Sequence, residues 1–298
     1  MMLVTFNKKV FFAFLLVVCI FNNSRGQKII DLFNGYTNEN ATQYLAPMSS
    51  LLAGSLHTNI REWGKIDTSF YLKLGVNISA SFPRKCMRSF DAKTGEGFEP
   101  EQTVEVPTII GNNEVLRADG INGTAYYFPV GYDLKRLPFA VPQLTFGGIF
   151  NSEMTLRFFA VNTDGEIDKI QFFGIGLRHD LTQYFRKLPV DFSASYLFQK
   201  FDTRPHVFGT YHLIAAHVGN SGKWWTSLFT IGYQYVENRF EYTTNESEGI
   251  VSHIVNVNGK SPFFAEIMGG VKLWIFNVRG AVSYSGPYTT SLGINFSF

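Results

Sequence analysis

Apolar and polar residues alternate along most of this chain, and the alternation is cleanest at its end. Tyr288, Thr290, Leu292, Ile294, Phe296 and Phe298 form one set of every-second positions, and Thr289, Ser291, Gly293, Asn295 and Ser297 form the other. Successive side chains of a strand point to opposite faces. One face is therefore greasy with aromatic ends, and the other is small and polar. The same pattern runs from Phe70 to Phe82, where Lys73 lies in the polar set. It recurs in 142–149, 154–160, 170–178, 190–201, 208–218, 225–242, 263–273 and 277–285. These segments predict ten strands. The insertion 83–141, with weak strand patterns at 103–110 and 124–130, raises this to twelve if it adds a pair, and fourteen is the upper bound.

One segment breaks the alternation. In 41–56, Tyr44, Leu45, Met48, Leu51, Leu52 and Leu56 fall at helical spacing. The expectation is a short amphipathic helix, capped by Asn40, with Pro47 setting its start later. It would pack at, or plug, the periplasmic mouth of the sheet structure.

The N-terminus carries Lys8 and Lys9, an apolar run from Val10 to Phe21, then small residues at Ser24 and Gly26. This is the plan of a cleaved secretory signal peptide over residues 1–26. The run is too short for a membrane-spanning helix, which needs about 20 apolar residues. The expected organisation is then a periplasmic segment with a plug-like helix at 27–66 and a β-barrel at 67–298, with 83–141 as a long extracellular insertion.

Composition sharpens the fold class. Aromatic residues make up 16% of the chain and charged residues 17%, against about 25% charged in ordinary soluble domains. Mean hydropathy is nonetheless near zero, at +0.01. A barrel that faces lipid with every second residue has this profile, and a helical membrane protein does not. The reading is an all-β antiparallel transmembrane barrel, exported to the bacterial outer membrane, with outer-membrane lipid and the barrel-assembly machinery as partners. Tyr288, Leu292, Ile294, Phe296 and the terminal Phe298 resemble the closing-strand signature of bacterial outer-membrane barrels.

Charge excludes one class of partner. Loss of Lys8, Lys9 and Arg25 leaves 23 basic against 24 acidic residues, and nucleic-acid binding would need a basic patch. Charges inside strands belong on the wet face, because a charge in lipid is costly. Lys73, Arg157, Arg178, Asp191, Glu266, Lys272 and Arg279 are therefore the lumen-facing candidates. Trp224, Trp225, Trp274, Phe276, Tyr233, Tyr235, Tyr284 and Tyr288 lie near strand ends, as interfacial belts do.

No catalytic, metal or cofactor site is assigned. The six histidines show no metal-ligand spacing with acids. Ser193 and Ser195, on one face of a strand near His212 or His217, could form a lipid-directed hydrolase site, but serines also line any aqueous barrel. Cys86 is the single cysteine after the signal peptide, and one thiol makes no internal disulfide.

The stretches Tyr44-Leu45-Ala46-Pro47, Phe173 to Leu181, Pro189-Val190-Asp191 and Tyr284 to Phe298 resemble an uncharacterised family of outer-membrane barrels from Bacteroidota. More distantly, the plan is similar to the fatty-acid-transport barrels, which also hold an N-terminal segment inside. The resemblance implies architecture and no activity. The expected function is passage or capture of a small solute, hydrophobic ones included. The alternatives are a structural or adhesion barrel with a blocked lumen, and a lipid-directed hydrolase.

Overall fold

The computed structural model describes residues 37–95, 97–162, 169–185, 189–204, 207–246 and 249–298. The expected signal peptide lies outside them. Helix α1 spans Asn38–His57. Ten strands close a barrel: β1 (Tyr71–Phe82), β6 (Leu137–Ile149), β7 (Ser152–Asn162), β8 (Lys169–Asp180), β9 (Asp191–Arg204), β10 (Val207–Ser221), β11 (Trp225–Glu246), β13 (Phe263–Leu273), β14 (Phe276–Tyr284) and β15 (Tyr288–Ser297). Each pairs antiparallel with its neighbours. β1 closes on β15, from Lys73↔Ser297 to Phe82↔Tyr288.

The strand count is the lower of the expected values, ten. The insertion adds no barrel strand. It forms two hairpins, β2 (Ser89–Lys93) with β3 (Thr103–Pro107), and β4 (Arg117–Asp119) with β5 (Ala125–Tyr127). These enclose a small core of Ala92, Val106, Ala118 and Phe128, and form a cap over one mouth. The barrel resumes at Leu137, so the insertion ends at 136 rather than 141. Strand β12 (Gly249–Asn258) also stays outside the closed ring. It pairs only with the far half of β11, from Glu237 to Glu246. The near half of β11, Trp225 to Tyr233, pairs with β13 instead.

The alternation sets the two surfaces. On β1, Leu72, Leu74, Val76, Ile78 and Phe82 face outward, while Tyr71, Lys73, Asn77, Ser79 and Ser81 face inward. On β15, Tyr288, Leu292 and Phe296 are exposed, and Thr289 and Asn295 are buried. Neighbouring strands extend the band with Phe158, Phe173, Leu177, Ile214, Phe229, Ile231, Ile267, Val271 and Val282, all exposed. Aromatic residues end the band: Trp224, Trp225, Trp274, Phe276 and Phe298 near the mouth that holds the C-terminus, and Tyr233, Tyr235, Tyr284 and Tyr288 toward the capped mouth. Water would not tolerate so large an apolar surface on a monomer. Lipid does.

Helix α1 runs inside the ring. Thr37 caps it, its hydroxyl accepting from the Asn40 N–H at 3.3 Å, so the cap precedes the expected Asn40. Pro47 lies within the helix and does not begin it, because enclosure on all sides compensates the lost backbone bond. The N-terminal half is at the capped mouth, where Ala41, Tyr44, Leu45 and Ala46 meet Phe240, Val255 and Val257. Leu52, Ala53 and Leu56 then meet Val141, Phe172, Phe201, Tyr211 and Val236. Gly54 lets the helix touch the wall: a Cβ there would lie 2.6 Å from Thr289 Oγ1 and 3.0 Å from Ser81 Oγ. After His57 the chain continues down the lumen to Ile66, which is also buried. The helix expected at the periplasmic mouth is thus, as a correction, a segment that starts at the cap and threads the interior toward the opposite mouth.

Candidate functional site

The lumen has two levels. Around α1 it is an apolar core, in which Phe139 contacts Phe159, Phe172 and Phe201 with ring centroids 5.8–6.2 Å apart. Below the helix the contacts become polar and ionic. The segment 58–66 there meets charged side chains projecting from the strands.

Glu266, on β13, anchors this segment. Its carboxylate accepts from Thr58 Oγ1 at 2.9 Å, from the Asn59 backbone N–H at 2.6 Å and from Arg61 Nη2 at 2.6 Å. Asn59 turns the chain in left-handed backbone, φ 52°, a conformation asparagine adopts more readily than most residues. Asn77, on β1, donates to the carbonyls of Thr58 and Asn59 at 2.9 and 3.0 Å. These carbonyls and N–H groups have left the helix and have no helical partner, so the barrel wall supplies one.

Glu62 answers from the plug side. Its carboxylate accepts from Gln143 Nε2 at 3.1 Å and lies 3.9 Å from Lys73 Nζ and 4.0 Å from Arg279 Nη1. Arg157 donates to the Leu56 carbonyl at 2.6 Å, capping the helix end with a cation. A cation there complements the helix dipole. Gln199 donates to the same carbonyl at 3.1 Å. Lower down, Arg178 donates to the Trp63 carbonyl at 2.6 Å and to that of Gly64, and it stands 3.8 Å from Glu153. Tyr71 donates to Glu153 at 2.7 Å.

Of the lumen-facing candidates, Lys73, Arg157, Arg178, Glu266 and Arg279 are buried in this network. Asp191 and Lys272 are half-buried, near the mouth that holds the C-terminus. Among the described residues, the wall directs five cations inward, Lys73, Arg157, Arg178, Lys272 and Arg279, against four carboxylates, Glu153, Asp180, Asp191 and Glu266. Arg61, Glu62, Gln143 and Gln199 were not singled out by sequence reasoning. A signal existed: Arg61-Glu62 is an opposite-charge pair just before the first barrel strand, in a chain poor in charge.

Of the helix candidates, Tyr44, Leu45, Leu51, Leu52 and Leu56 are buried, and Met48 packs beside Leu52 and Leu56. The upper end is held by the cap. Asn40 Nδ2 donates to the Lys93 carbonyl at 2.8 Å, and the Lys93 N–H returns a bond to Asn40 Oδ1 at 3.2 Å. Tyr44 donates to the Val130 carbonyl at 2.7 Å. Burial, with Tyr132 as a smaller cause, pushes the Tyr44 phenol above its ordinary pKa, so it remains a donor.

The serine and histidine question has a geometric answer. Ser195 Oγ lies 2.8 Å from His217 Nε2, and His217 Nδ1 lies 2.9 Å from Thr230 Oγ1. The position that would orient a catalytic histidine is held by a hydroxyl and not a carboxylate. Ser193 instead accepts from Arg178 Nε at 2.9 Å. His212 faces outward, 2.8 Å from Tyr196 Oη. The cavity lined by Ile60, Arg61, Glu153, Arg178 and Ser195 measures about 20 Å³, space for one water molecule. Among the described residues, no group of histidine, cysteine and acids could hold a metal ion. Cys86 is free and exposed.

The sequence profile described as "Family of unknown function (DUF6588)" matches residues 7–298. No curated protein matches the chain. Among solved structures it is similar to a loop L8 deletion mutant of OmpT, an outer membrane protein of Vibrio cholerae, at 10% identity over 77% of this chain and 98% of that one, TM-score 0.27. It is similar to the transport unit of the autotransporter AIDA-I from Escherichia coli, at 10% identity over 88% and 100%, TM-score 0.27. A third is the Ralstonia pickettii toluene transporter TbuX, at 6% identity over 84% and 92%, TM-score 0.17. None of the three is near enough to transfer an activity.

Proposed function

The chain belongs to this family of unknown function, and we propose that it is an outer-membrane barrel serving as a passage for a small solute, held shut by its own segment 38–66. The apolar outer band and the wet inner wall support the membrane address. Long connections belong outside and short turns in the periplasm. The capped mouth is then extracellular, and the mouth with the C-terminus is periplasmic.

The observation that carries the gated reading is the chemistry of the plug's lower half. Glu266, Asn77, Gln143 and Arg178 hold segment 58–66 by hydrogen bonds and ion pairs, and Arg157 holds the Leu56 carbonyl just above it. A permanent filler is better built from apolar side chains, since buried ion pairs are often less stabilising than hydrophobic replacements. Polar contacts can be handed over to water when the segment moves. The second reading, a permanently blocked structural or adhesion barrel, is favoured by the bonds of Asn40 and Tyr44 to the cap.

A cross-link separates the two. The Ser55 and Ser81 hydroxyls are 2.8 Å apart, one on the helix and one on β1. A Ser55→Cys/Ser81→Cys protein, in a Cys86→Ser background, should form a disulfide that fixes plug to wall. In planar bilayers with urea, the reduced form should give reversible current steps and the oxidised form none. Steps that persist in the oxidised form would place the passage elsewhere. No steps from either form, or from the wild-type chain, would leave the blocked barrel.

A further inference from the structure

Resting on the gated reading, we infer that the lumen contains an anion site formed by Lys73, Arg279 and Gln143, that Glu62 of the plug occupies it at rest, and that the solute it admits is a small anion bearing a carboxylate or phosphate. The wall's inward charges are unequal, with cations in excess of carboxylates as set out above. Arg61 of the plug is matched by Glu266 at 2.6 Å, so it does not change the balance. Glu62 is the plug's single carboxylate placed against the wall cations, 3.9 Å from Lys73 and 4.0 Å from Arg279.

The geometry is that of a loose fit. Arg279 and Lys73 stand at ion-pair distance from Glu62, yet Arg279 Nη1 and Nε make no hydrogen bond. Arg157 likewise keeps Nε and Nη2 without a hydrogen bond, and both arginines are at most 2% exposed. Buried guanidinium N–H groups seek oxygen acceptors, and carboxylate and phosphate satisfy the fork best. A tethered carboxylate that touches its partners without saturating them can be displaced by a free anion that does. Removal of the plug would leave these cations facing a water-filled path, which raises the local anion concentration.

The test is anion rescue. Glu62→Ala in the full chain leaves the cations without their carboxylate, and its unfolding midpoint should fall. Sodium formate should restore the midpoint, while sodium chloride restores less and methylammonium chloride at equal ionic strength restores no more than sodium chloride. Lys73→Gln added to Glu62→Ala should abolish the formate effect. Glu62→Gln keeps the side-chain volume and replaces Glu62→Ala if the latter does not assemble. Its current steps in a potassium chloride gradient with urea should reverse at a potential shifted toward chloride relative to wild type. Equal response to formate and methylammonium, or cation-selective steps, would overturn the anion site. Absence of any steps with formate rescue intact would overturn the passage and keep the site.

Discussion

Glu266→Gln is expected to lower the stability of the assembled barrel by about 3–5 kcal/mol, the cost of leaving a buried charge without its partner. The carboxylate receives three donors, from Thr58, Asn59 and Arg61. Its side chain is 1% exposed and that of Arg61 is 3%. A glutamine presents one oxygen and one NH₂ group, so at least one donor would face another donor. Arg61 would keep its charge with no counter-ion at bonding distance. Arg61→Ala should cost less, because Glu266 retains Thr58 and the Asn59 N–H. Urea unfolding in lipid vesicles, followed by tryptophan fluorescence, measures both. A loss below about 1 kcal/mol for Glu266→Gln, the range of solvent-exposed ion pairs, would mean that water already reaches this network and that the plug does not seal the lumen.

The second large effect concerns the outer wall. Leu292 lies near the middle of β15, points outward and is 45% exposed. Leu292→Arg should destabilise the barrel in bilayers by about 2–4 kcal/mol, the cost of arginine at the lipid midplane, with smaller losses for the same change toward either end of the strand. Tyr288→Arg, at the aromatic edge, should therefore cost less than Leu292→Arg. The measurement is the same urea titration, in vesicles of one lipid composition. Equal costs at Leu292 and Tyr288 would show that the band does not sit in hydrocarbon.

Much of this architecture was legible before any coordinates, and the reason is local. A strand's inside and outside are decided by parity. Leu292 and Ile294 therefore had to share a face, and Lys73 and Asn77 the opposite one. Arg157, Arg178, Glu266 and Arg279 followed by the cost of charge in lipid. The helix was legible because its period is 3.6 and its neighbours' period is 2. Parity failed where its assumption failed. Phe139, Phe159, Phe172 and Phe201 are turned inward at the capped end, where they wrap the helix instead of meeting water. An inner face is polar only if the lumen is wet, and no strand carries that information.

The partners of the charges were not legible for a related reason. Glu266 and Arg61 are separated by 205 residues in the chain, and Glu62 and Arg279 by still more. Nothing in the spacing of either pair signals contact. The strand count was open between ten and twelve because the insertion has weak strand patterns at 103–110 and 124–130, and these form hairpins of the cap that do not join the ring. Whether a strand joins a barrel depends on the tilt and height of its neighbours, and those are collective properties.

What the amino-acid order settled is a membrane-type β-wall with a separate helix, since alternation and helical period are written in neighbouring residues and act over one or two turns of chain. What waited for the folded molecule is the filling of that wall: which charges meet, that the helix threads the ring from the cap, and that ten strands close it. These depend on distances between residues far apart in sequence. Closure of the ring sets those distances all at once, through hydrogen bonds between strands that only the complete set can form.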